Sequence, residues 1–413
     1  MYSIIIFLAS AFVRLTALFN AKSKLFVEGR KGIFARLSRA FENNTHPVLW
    51  IHCASLGEFE QGRPIIESFK REFSNYQVLL TFFSPSGYEV RKNYEFANHI
   101  FYLPWDTRGN AKRFVDIVKP AIAIFIKYEF WHYYSRTLSA KGIPVLSVSS
   151  IFREQQAFFK FYGSKQRKTL SYFNYFFVQN DESRKLLSFI GITNATVAGD
   201  TRFDRVNQIV SQRKEIDVAK NFKASDNVFV VGSAWSEDME VLAPAIIEKK
   251  GNLKFIIAPH EIHESSIVAI EKALEVRTIR YSKAVSTTDL KSFDVLIIDN
   301  MGMLSSLYQY GEYAYVGGAF GKGLHNILEA ACYGIPIFFG NKNYKKFKEA
   351  TDLIMRGGAF EVGDYADFKT KLESLTNRPE NYLLASEVTR SYVTENLGAT
   401  RKVMDYCHKI LDR

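Results

Sequence analysis

The sequence predicts two doubly wound α/β domains in tandem, each a parallel sheet covered by helices on both faces. From residue 47 onward, short apolar runs typical of buried strands alternate with segments of helical length, and this alternation stops near residue 200 and restarts near residue 227. Strands that alternate with helices form parallel sheets, because each crossover helix returns the chain to the same end of the sheet. A length of 413 residues also fits two or three domains of ~150 residues each.

Seven runs predict the strands of the first domain, and six predict those of the second. The runs are rich in β-branched and aromatic residues and are bounded by turn residues or charged helical segments. The first series covers 48–55, 76–83, 99–104, 121–129, 144–150, 175–180 and 195–199, and the second covers 227–234, 254–259, 276–282, 294–299, 313–318 and 335–340. A last helix is predicted over about 380–411.

The pattern divides the chain into four segments. Residues 1–46 precede the first strand, the first domain covers 47–204, a polar and charged helical linker covers 205–226, and the second domain with the final helix covers 227–413. Ligands of doubly wound domains bind beyond the carboxyl ends of the strands. We therefore expect the two domains to face each other across a cleft that holds the active site.

Composition excludes several classes of protein. With 47% hydrophobic and 23% charged residues, the chain is too apolar to be disordered. Its three cysteines include no CxxC pair, so neither a disulfide framework nor a structural zinc site is expected. The net charge of +11 indicates an anionic partner, which is nucleic acid, phosphate or a membrane surface. The aromatic clusters lack the interleaved basic residues of single-strand binders, so nucleic acid is not predicted.

Residues 1–46 predict association with a membrane. The 18 residues from Tyr2 to Phe19 carry one charge, Arg14, and are close to the lower limit of ~20 for a spanning helix. The whole segment has a net charge of +5, the sign that cytoplasmic flanks and anionic lipids favour. A cleaved signal peptide is not expected, because only Met1 precedes the apolar run. The alternatives are a spanning helix, a helix that lies flat on the bilayer, and a buried helix of a soluble domain; the basic flank favours the first two.

Several signatures of metal and hydrolase chemistry are missing. No GxSxG motif occurs, which disfavours a serine hydrolase. His260 and His263 stand three positions apart rather than the four that place both histidines of a zinc motif on one helical face. The glycine loop over 317–323 lacks the Ser or Thr that follows the lysine of a P-loop, and no Asp-x-Asp pair occurs. These absences predict that the chain, if it is an enzyme, works without a metal, and no cofactor is expected.

Glu58 is a candidate general base. It lies five positions after Cys53 of the first strand, at the start of a predicted helix. A carboxylate at a helix start often serves only to satisfy the helix dipole. Here the position is also the carboxyl end of the first strand, where doubly wound domains bind ligands, and a glutamate there can accept a proton from an attacking hydroxyl.

Two stretches of the second domain predict a nucleotide site. Ser233 follows a strand and opens a helix, where free backbone N–H groups form a seat for phosphate. The glycine loop over 317–323 runs from a strand toward Asn326 and Glu329, whose i,i+3 spacing puts them on one face of the next helix. Such a pair can bind a base edge and ribose hydroxyls. A glycine loop alone is more often a turn, so the combination carries the prediction.

Eight motifs together resemble the bacterial Kdo transferases, which transfer 3-deoxy-D-manno-octulosonic acid (Kdo) from CMP-Kdo to the lipid A precursor of lipopolysaccharide. Their order and spacing follow that family over essentially the whole chain. The motifs are WIHCASLGE (50–58), TFFSPSGYE (81–89), YLPWD (102–106), YEFW (128–131), GDTRFD (199–204), GSAWSED (232–238), DNMGML (299–304) and VGGAFGKGLHNILEAACYGIPIFFG (316–340). The resemblance implies a GT-B type glycosyltransferase of two Rossmann-like domains at the cytoplasmic face of the inner membrane, with no required metal.

The resemblance also implies roles for individual residues. Glu58 corresponds to the general base, and Glu129 and Arg202 occupy positions associated with support of the transition state. The first domain would be the acceptor side and the second would bind the CMP-sugar. The implied CMP contacts, together with the phosphate seat at Ser233, are Pro259, His260, Met301, Gly302, Met303, Asn326, Ile327, Leu328 and Glu329.

Three positions depart from the family pattern. Arg202 stands where the family usually has lysine, which keeps a cation with a different geometry. His260 replaces an expected arginine, and Met303 replaces an expected glutamate. The last two changes remove one permanent positive charge and one carboxylate from the implied CMP site, and neither involves Glu58.

Two other functions fit the same architecture. A nucleotide-sugar epimerase also uses two Rossmann-like domains, but it needs neither a membrane helix nor a lipid acceptor. A membrane-tethered nucleotide-sugar-binding protein without catalysis is the second alternative, and the presence of Glu58 argues against it. Turnover of CMP-Kdo with a lipid acceptor separates all three.

Overall fold

The computed structural model describes residues 2–412, and the chain divides into two compact units. One unit comprises Met1–Arg205 and Leu397–Arg413, and the other comprises Val206–Asn396. Each unit contains a parallel sheet of seven strands, with helices between most successive strands. The prediction of two doubly wound α/β domains is therefore confirmed.

The sheet of the first unit has the strand order β3-β2-β1-β4-β5-β6-β7. Its strands are β1 (Val48–Cys53), β2 (Gln77–Phe82), β3 (His99–Tyr102), β4 (Ile122–Ile126), β5 (Val145–Ser150), β6 (Tyr175–Val178) and β7 (Ala195–Val197). Its helices are α1 (Tyr2–Thr16), α2 (Ala21–Glu28), α3 (Ile33–Phe41), α4 (Leu56–Glu72), α5 (Pro85–Arg91), α6 (Arg108–Val118), α7 (His132–Ala140), α8 (Ser164–Leu170) and α9 (Asp181–Phe189), followed by α10 (Thr201–Ser211), which continues into the second unit.

Both faces of this sheet are buried, as expected for parallel strands. Along β1, Val48 and Trp50 pack into one hydrophobic layer, while Leu49 and Ile51 pack into the other. His52 is fully buried in the same strand, although its neighbours are apolar. β1 therefore fixes a polar side chain inside the sheet, one residue before its carboxyl end.

The N-terminal helix α1 presents apolar side chains to solvent. Ile6 is buried, whereas Phe7 and Phe12 are 69% and 65% exposed. Tyr2 fixes the start of the helix, because its hydroxyl donates a hydrogen bond to Asp106. This face of α1 is therefore not buried within the first unit. Among the helices of residues 2–412, none combines the length and apolar character that a bilayer crossing requires.

The sheet of the second unit has the strand order β10-β11-β9-β8-β12-β13-β14. Its strands are β8 (Val228–Ala234), β9 (Lys254–Pro259), β10 (Thr278–Arg280), β11 (Val295–Ile297), β12 (Tyr313–Val316), β13 (Ile337–Gly340) and β14 (Ala359–Val362). Its helices are α11 (Asp217–Lys223), α12 (Ser236–Glu248), α13 (Glu264–Ala273), α14 (Tyr281–Ala284), α15 (Leu304–Leu307), α16 (Leu328–Ala331), α17 (Lys348–Arg356), α18 (Tyr365–Thr376) and α19 (Pro379–Glu395).

All thirteen predicted strands are present, although most are shorter than predicted. The four-residue strand β14 at the sheet edge was not predicted. The segment 380–411 was predicted as one helix of the second domain. The structure breaks this segment at Gly398, which has a φ of 100°, and the last helix, α20 (Ala399–Leu411), belongs to the first unit. Its apolar side packs against α4, with Val403 and Met404 in the core of that unit.

Candidate active site

Glu58 lies in the first turn of α4, at the carboxyl end of β1. Ser55 is the N-cap of the helix, and its backbone is extended, with a φ of −141°. The Ser55 hydroxyl donates to the Glu58 carboxylate instead of capping the backbone. The free N–H groups of the first turn also favour a negative charge here. Glu58 is half-buried, so a substrate can reach a carboxylate that is already fixed in orientation.

Glu129 follows β4, the strand that pairs with β1 on the side away from β2. Its Oε2 accepts hydrogen bonds from Nε1 of Trp131 at 2.7 Å and from Nε2 of His52 at 3.3 Å. On its other side, Nδ1 of His52 lies 2.9 Å from the hydroxyl of Thr81. Trp50 donates to that same hydroxyl at 2.9 Å. A buried chain of polar groups thus orients Glu129.

Glu58 and Glu129 lie close enough to act on the same buried group. Burial raises the pKa of the Cys53 thiol, and the negative charges of Glu58 and Glu129 raise it further. The thiol therefore stays protonated and is a poor nucleophile. The carboxyl edge of the first sheet accordingly offers two carboxylates as its reactive groups.

Arg202 is held beside α4 by Asp200. The two side chains form an ion pair, with Nη2 of Arg202 2.9 Å from Oδ2 of Asp200. Burial opposes ionisation of Asp200, but the charge of Arg202 and its hydrogen bonds lower the pKa of Asp200 below its usual value. Asp200 also accepts from Gln61 of α4 at 3.0 Å. Because Gln61 lies three residues after Glu58, the structure brings Arg202 to the helix that carries the candidate base.

In the second unit, Ser233 sits at a break in the pairing of β8 with β9. The register shifts between Gly232 and Ala234, and Ser233 has a φ of 53°. A non-glycine residue in this region costs about 1–3 kcal/mol, and such strain clusters at ligand sites. Gly317 lies against this turn, because a Cβ there would stand 2.3 Å from the Ser233 carbonyl oxygen. The turn and the glycine loop are therefore in backbone contact.

Asp238 ties the same turn to the glycine loop. Its carboxylate accepts from the backbone N–H groups of Trp235 and Gly318, each at 2.9 Å, and from the Tyr315 hydroxyl at 2.8 Å. Asp238 is fully buried, and burial raises its pKa. This residue thus holds the start of α12 and the loop in a fixed relation.

Three rings stack at this edge of the second sheet. The ring centroids of Trp235 and His260 are 4.1 Å apart, and those of His260 and His325 are 4.7 Å apart. Trp235 donates its Nε1–H to Nε2 of His325 at 3.1 Å, so a neutral His325 carries its proton on Nδ1. Burial lowers the pKa of both histidines. Lys322 lies over the Trp235 ring at 4.1 Å and is the cation of this group.

The loop from Met301 to Met303 follows β11, which pairs with β9. Met301 is 81% exposed, and Gly302 has a φ of 91°, a conformation that favours glycine. Since neighbouring parallel strands end at the same edge, this loop reaches the edge where Pro259 ends β9.

The predicted helix that carries Asn326 and Glu329 is shorter than expected. α16 has four residues and begins at Leu328, so Asn326 precedes the helix rather than sharing its face. The two side chains are nevertheless joined, since Nδ2 of Asn326 donates to Oε1 of Glu329 at 3.0 Å. Ile327 and Leu328 are buried, so their side chains belong to the core and only their backbone would be free to contact a ligand.

Comparisons with known proteins identify the family. A model of the 3-deoxy-D-manno-octulosonic-acid transferase (kdotransferase) family matches residues 31–205. The 3-deoxy-D-manno-octulosonic acid transferase of Aquifex aeolicus is 30% identical over 338 residues, which are 80% of this chain and 87% of the relative. The chain belongs to the Kdo transferase family. The enzyme of the same name from Rickettsia typhi is 26% identical, and the matched region covers 95% of this chain and 85% of the Rickettsia enzyme.

Solved structures support the fold independently. The UDP-GlcNAc 2-epimerase of Neisseria meningitidis, bound to UDP-GlcNAc, has a TM-score of 0.62 at 16% identity and covers 88% of this chain and all of its own. MurG of Acinetobacter baumannii has a TM-score of 0.54 at 13% identity, and the match covers 88% of this chain and 100% of MurG. These likenesses show the GT-B fold, and the epimerase alternative has no other support. As a Kdo transferase, the protein is a glycosyltransferase of lipopolysaccharide biosynthesis.

The structure of this Kdo transferase adds residues that sequence reasoning missed. In the first unit they are His52, Thr81 and Trp131 around Glu129, and Asp200 behind Arg202. In the second unit they are Trp235, Asp238, Lys322 and His325. A histidine inside an otherwise apolar strand run was the one local signal, since a buried polar side chain needs a partner.

Two departures from the family pattern have a structural setting. His260 stacks between Trp235 and His325 and is neutral under its lowered pKa, so it offers ring surface rather than charge. Met303 is half-buried at the start of α15. Within residues 2–412, no cluster of three or more His, Cys, Asp or Glu side chains has the arrangement to hold a metal ion.

Proposed function

We propose that this Kdo transferase moves Kdo from CMP-Kdo to a sugar hydroxyl of the lipid A precursor, with inversion and with Glu58 as the general base. The observation that carries the proposal is the position of Glu58, at the carboxyl end of β1 and oriented by Ser55. A base must lie within hydrogen-bond reach of the proton that it accepts, and a half-buried carboxylate of fixed orientation meets that need.

The reaction is a single displacement. The acceptor oxygen forms a bond to the anomeric carbon of Kdo from the face opposite CMP, and the bond from that carbon to the phosphate oxygen breaks. CMP leaves with the bonding electrons as a phosphate monoester, and Glu58 receives the hydroxyl proton. Attack from the opposite face inverts the anomeric configuration. Because Kdo is a 2-keto sugar acid, its anomeric carbon tolerates oxocarbenium-like charge.

Glu129 and Arg202 supply fixed charges for this step. A carboxylate oriented by Trp131 and His52 stabilises positive charge that develops on the sugar. The guanidinium of Arg202, held by Asp200, suits the carboxylate of Kdo or the leaving phosphate. Both groups are oriented before the substrate arrives, so little reorganisation is needed during the reaction.

The second unit is the proposed CMP site. Backbone N–H groups around Ser233 and the glycine loop suit a phosphate. The flat stack of Trp235 and His260 suits the face of a pyrimidine or ribose, and Lys322 adds a positive charge nearby. The joined pair of Asn326 and Glu329 suits polar edges of the nucleoside.

We also propose that α1 lies on the cytoplasmic leaflet of the inner membrane rather than spanning it. Its exposed apolar side chains, among them Ile4, Phe7 and Phe12, would enter the interfacial region. The basic residues that follow up to Arg39 would bind anionic headgroups. An interfacial helix holds the enzyme where its lipid acceptor is concentrated.

Incubation of the purified full chain with CMP-Kdo and the lipid A precursor, followed by mass analysis of the lipid, tests the proposal. The expected product is the precursor with added Kdo, formed equally after dialysis against EDTA, since we propose no metal or cofactor. An unmodified lipid with an altered free nucleotide sugar would instead indicate an epimerase, and no turnover at all would indicate a binding protein. Loss of transfer in EDTA with rescue by one divalent cation would contradict metal independence.

A further inference from the structure

A pocket of about 440 Å³ opens in the first unit between α1, α7 and α8. It is lined by residues of all three helices and by Phe130, which directly follows Glu129. The loop that carries the proposed transition-state group therefore also forms a wall of this pocket. The proposed transfer step gives this pocket no role.

The rim of the pocket is positively charged. Arg136, Lys165 and Lys168 line it, and all three are exposed. Within residues 2–412, no acidic side chain forms an ion pair with any of them. This positive charge also acts on the nearby His132. Burial lowers the pKa of His132, and the charges of Arg136 and Lys168 lower it further. Three cations without anionic partners indicate an anionic ligand.

The interior of the pocket is apolar and aromatic. Phe130, Phe158 and Tyr172 form one wall, and Tyr2 and Ile5 of α1 complete the pocket. These surfaces suit a hydrocarbon chain. A free phosphate or a soluble sugar phosphate would leave them uncovered.

Gln166 also lines the pocket and lies between Lys165 and Lys168 on α8.

The position of α1 connects the pocket to the bilayer. The hydrogen bond from Tyr2 to Asp106 and the one between Ser3 and Tyr133 at 2.6 Å fix the start of α1 against α7. Ile4 and Phe7, on either side of Ile5, are 62% and 69% exposed. A molecule in the pocket would thus lie beside the helix that we assign to the membrane surface.

We propose that this pocket binds the lipid acceptor, with a phosphate group on the rim formed by Arg136, Lys165 and Lys168 and the first part of an acyl chain against Phe130, Phe158 and Tyr172. The ligand class is a phosphorylated, acylated sugar, because the charged rim suits an anionic group, the apolar wall suits a hydrocarbon chain, and the proposed reaction needs a sugar hydroxyl. The inference rests on the proposed function. It adds the residues that hold the acceptor while its hydroxyl reacts at Glu58.

The test compares two full-chain variants in non-ionic detergent micelles, where membrane attraction plays no part. The pocket variant combines Arg136→Gln, Lys165→Gln and Lys168→Gln. The control variant combines Lys250→Gln, Lys272→Gln and Lys291→Gln, which removes the same charge from exposed positions on the second unit, at or near the ends of α12 and α13 and before β11. The probes are the lipid A precursor with its phosphates and the same lipid after their enzymatic removal.

We expect the pocket variant to raise the KM for the phosphorylated acceptor by about 10- to 100-fold, with kcat at saturation and CMP affinity within about twofold of wild type. The phosphate-free acceptor should give the same KM with wild type and pocket variant. An unchanged KM for the phosphorylated acceptor, or an equal rise in the control variant, would overturn the proposal. So would equally tight binding of phosphatidylglycerol, which would assign the pocket to bilayer lipid.

A second variant tests the proposal if the pocket variant does not fold. Gln166→Glu keeps the side-chain shape and places an anion among the three cations, so it should also raise the KM for the phosphorylated acceptor. Binding of both acceptors to wild type and variants is measured directly by equilibrium dialysis in the same micelles. If wild type binds the phosphorylated acceptor through the pocket but transfers no Kdo, the proposed function fails while the pocket assignment stands.

Discussion

The two units form the same kind of seven-stranded parallel sheet but place different chemistry at its carboxyl edge. The first unit places the carboxyl groups of Glu58 and Glu129 there, beside the Cys53 thiol, whose pKa is raised by burial and then by the charges of the two glutamates. The second unit gathers backbone N–H groups and the neutral rings of His260 and His325. One edge is suited to accept a proton, and the other is suited to hold an anion.

This difference follows from what the proposed reaction requires. A carboxylate that acts as a general base is anionic, and a nucleotide phosphate is repelled by anions. Two separate sheets allow the base and the nucleotide phosphate to have different electrostatic surroundings. Mutations in one unit should therefore leave the other unit's task intact, which is the basis of the experiments below.

Replacement of the base in the first unit should have the largest effect. Glu58→Gln removes the proton acceptor and should lower kcat by ~10²–10⁴-fold, the usual range for a lost general base. CMP affinity, measured by calorimetry, should stay within about twofold, because the second unit is unchanged.

Glu60→Gln is the matched control for that experiment. Glu60 lies two residues further along α4 and pairs with Arg91 at 2.9 Å, so its loss removes a carboxylate without touching the proposed base. Its activity should stay within about threefold of wild type. Near-normal turnover of Glu58→Gln, or equal losses in both variants, would remove Glu58 from the mechanism.

The reciprocal change in the second unit should affect binding. Asn326→Ala and Glu329→Ala each break the hydrogen bond between these side chains and should weaken CMP binding by about 1–3 kcal/mol. Calorimetry with CMP measures the effect, and Asn381→Ala, which loses a hydrogen bond to Ser374 at the start of α19, serves as the control. Unchanged CMP affinity in both test variants would show that Asn326 and Glu329 only form the start of a helix and do not bind CMP.

The same comparison shows how far sequence reasoning reaches. Buried parallel strands are recognisable as continuous apolar runs, and β4, with the sequence IAIFI, is a clear case. β14 escaped because AFEV is short and only its two ends are buried, as expected at a sheet edge. Glu58 could be found because a strand end is a property of the local sequence.

Contacts between distant segments could not be found in this way. The apolar side of α20 identifies a buried helix but does not identify its partner, so its assignment to the second domain was wrong. Likewise, the stack of Trp235, His260 and His325 joins residues that follow three separate strands, two directly and His325 after the glycine loop. Such groupings depend on strand order, which a single sequence does not encode locally.

Removal of α1 should separate location from chemistry. A chain lacking residues 1–20 loses the exposed apolar face but none of the strand-end residues, so it should still bind CMP. Transfer in vesicles should fall by about tenfold or more, because the local acceptor concentration is lost. Transfer in micelles should fall less, although the acceptor pocket loses Tyr2 and Ile5.

Membrane fractionation, a melting curve and the two transfer assays measure these effects. Phe7→Glu with Phe12→Glu keeps the helix and places charges on its exposed face, which covers the case of an unfolded truncation. A folded variant with full activity on vesicles would refute the membrane role. Unfolding of both variants would indicate that α1 serves as structure.

The smallest effect is a difference in pH dependence between one histidine in each unit. Burial lowers the pKa of His325, so in acid the unfolded chain binds more protons than the folded chain. The stability that His325 contributes is therefore present above its unfolded pKa of about 6.5 and is lost as the pH falls below that value. Hydrogen bonds to Glu72 and Asp412 raise the pKa of His408 on α20, and here the folded chain holds its proton more tightly. That contribution is fully present below the unfolded pKa and is lost as the pH rises through the folded pKa.

We compare the unfolding free energies of wild type, His325→Gln and His408→Gln in urea between about pH 5.5 and pH 8.5. The cost of His325→Gln should grow toward high pH, and the cost of His408→Gln should grow toward low pH. Parallel trends would show that the two units do not impose opposite electrostatic surroundings on these two histidines.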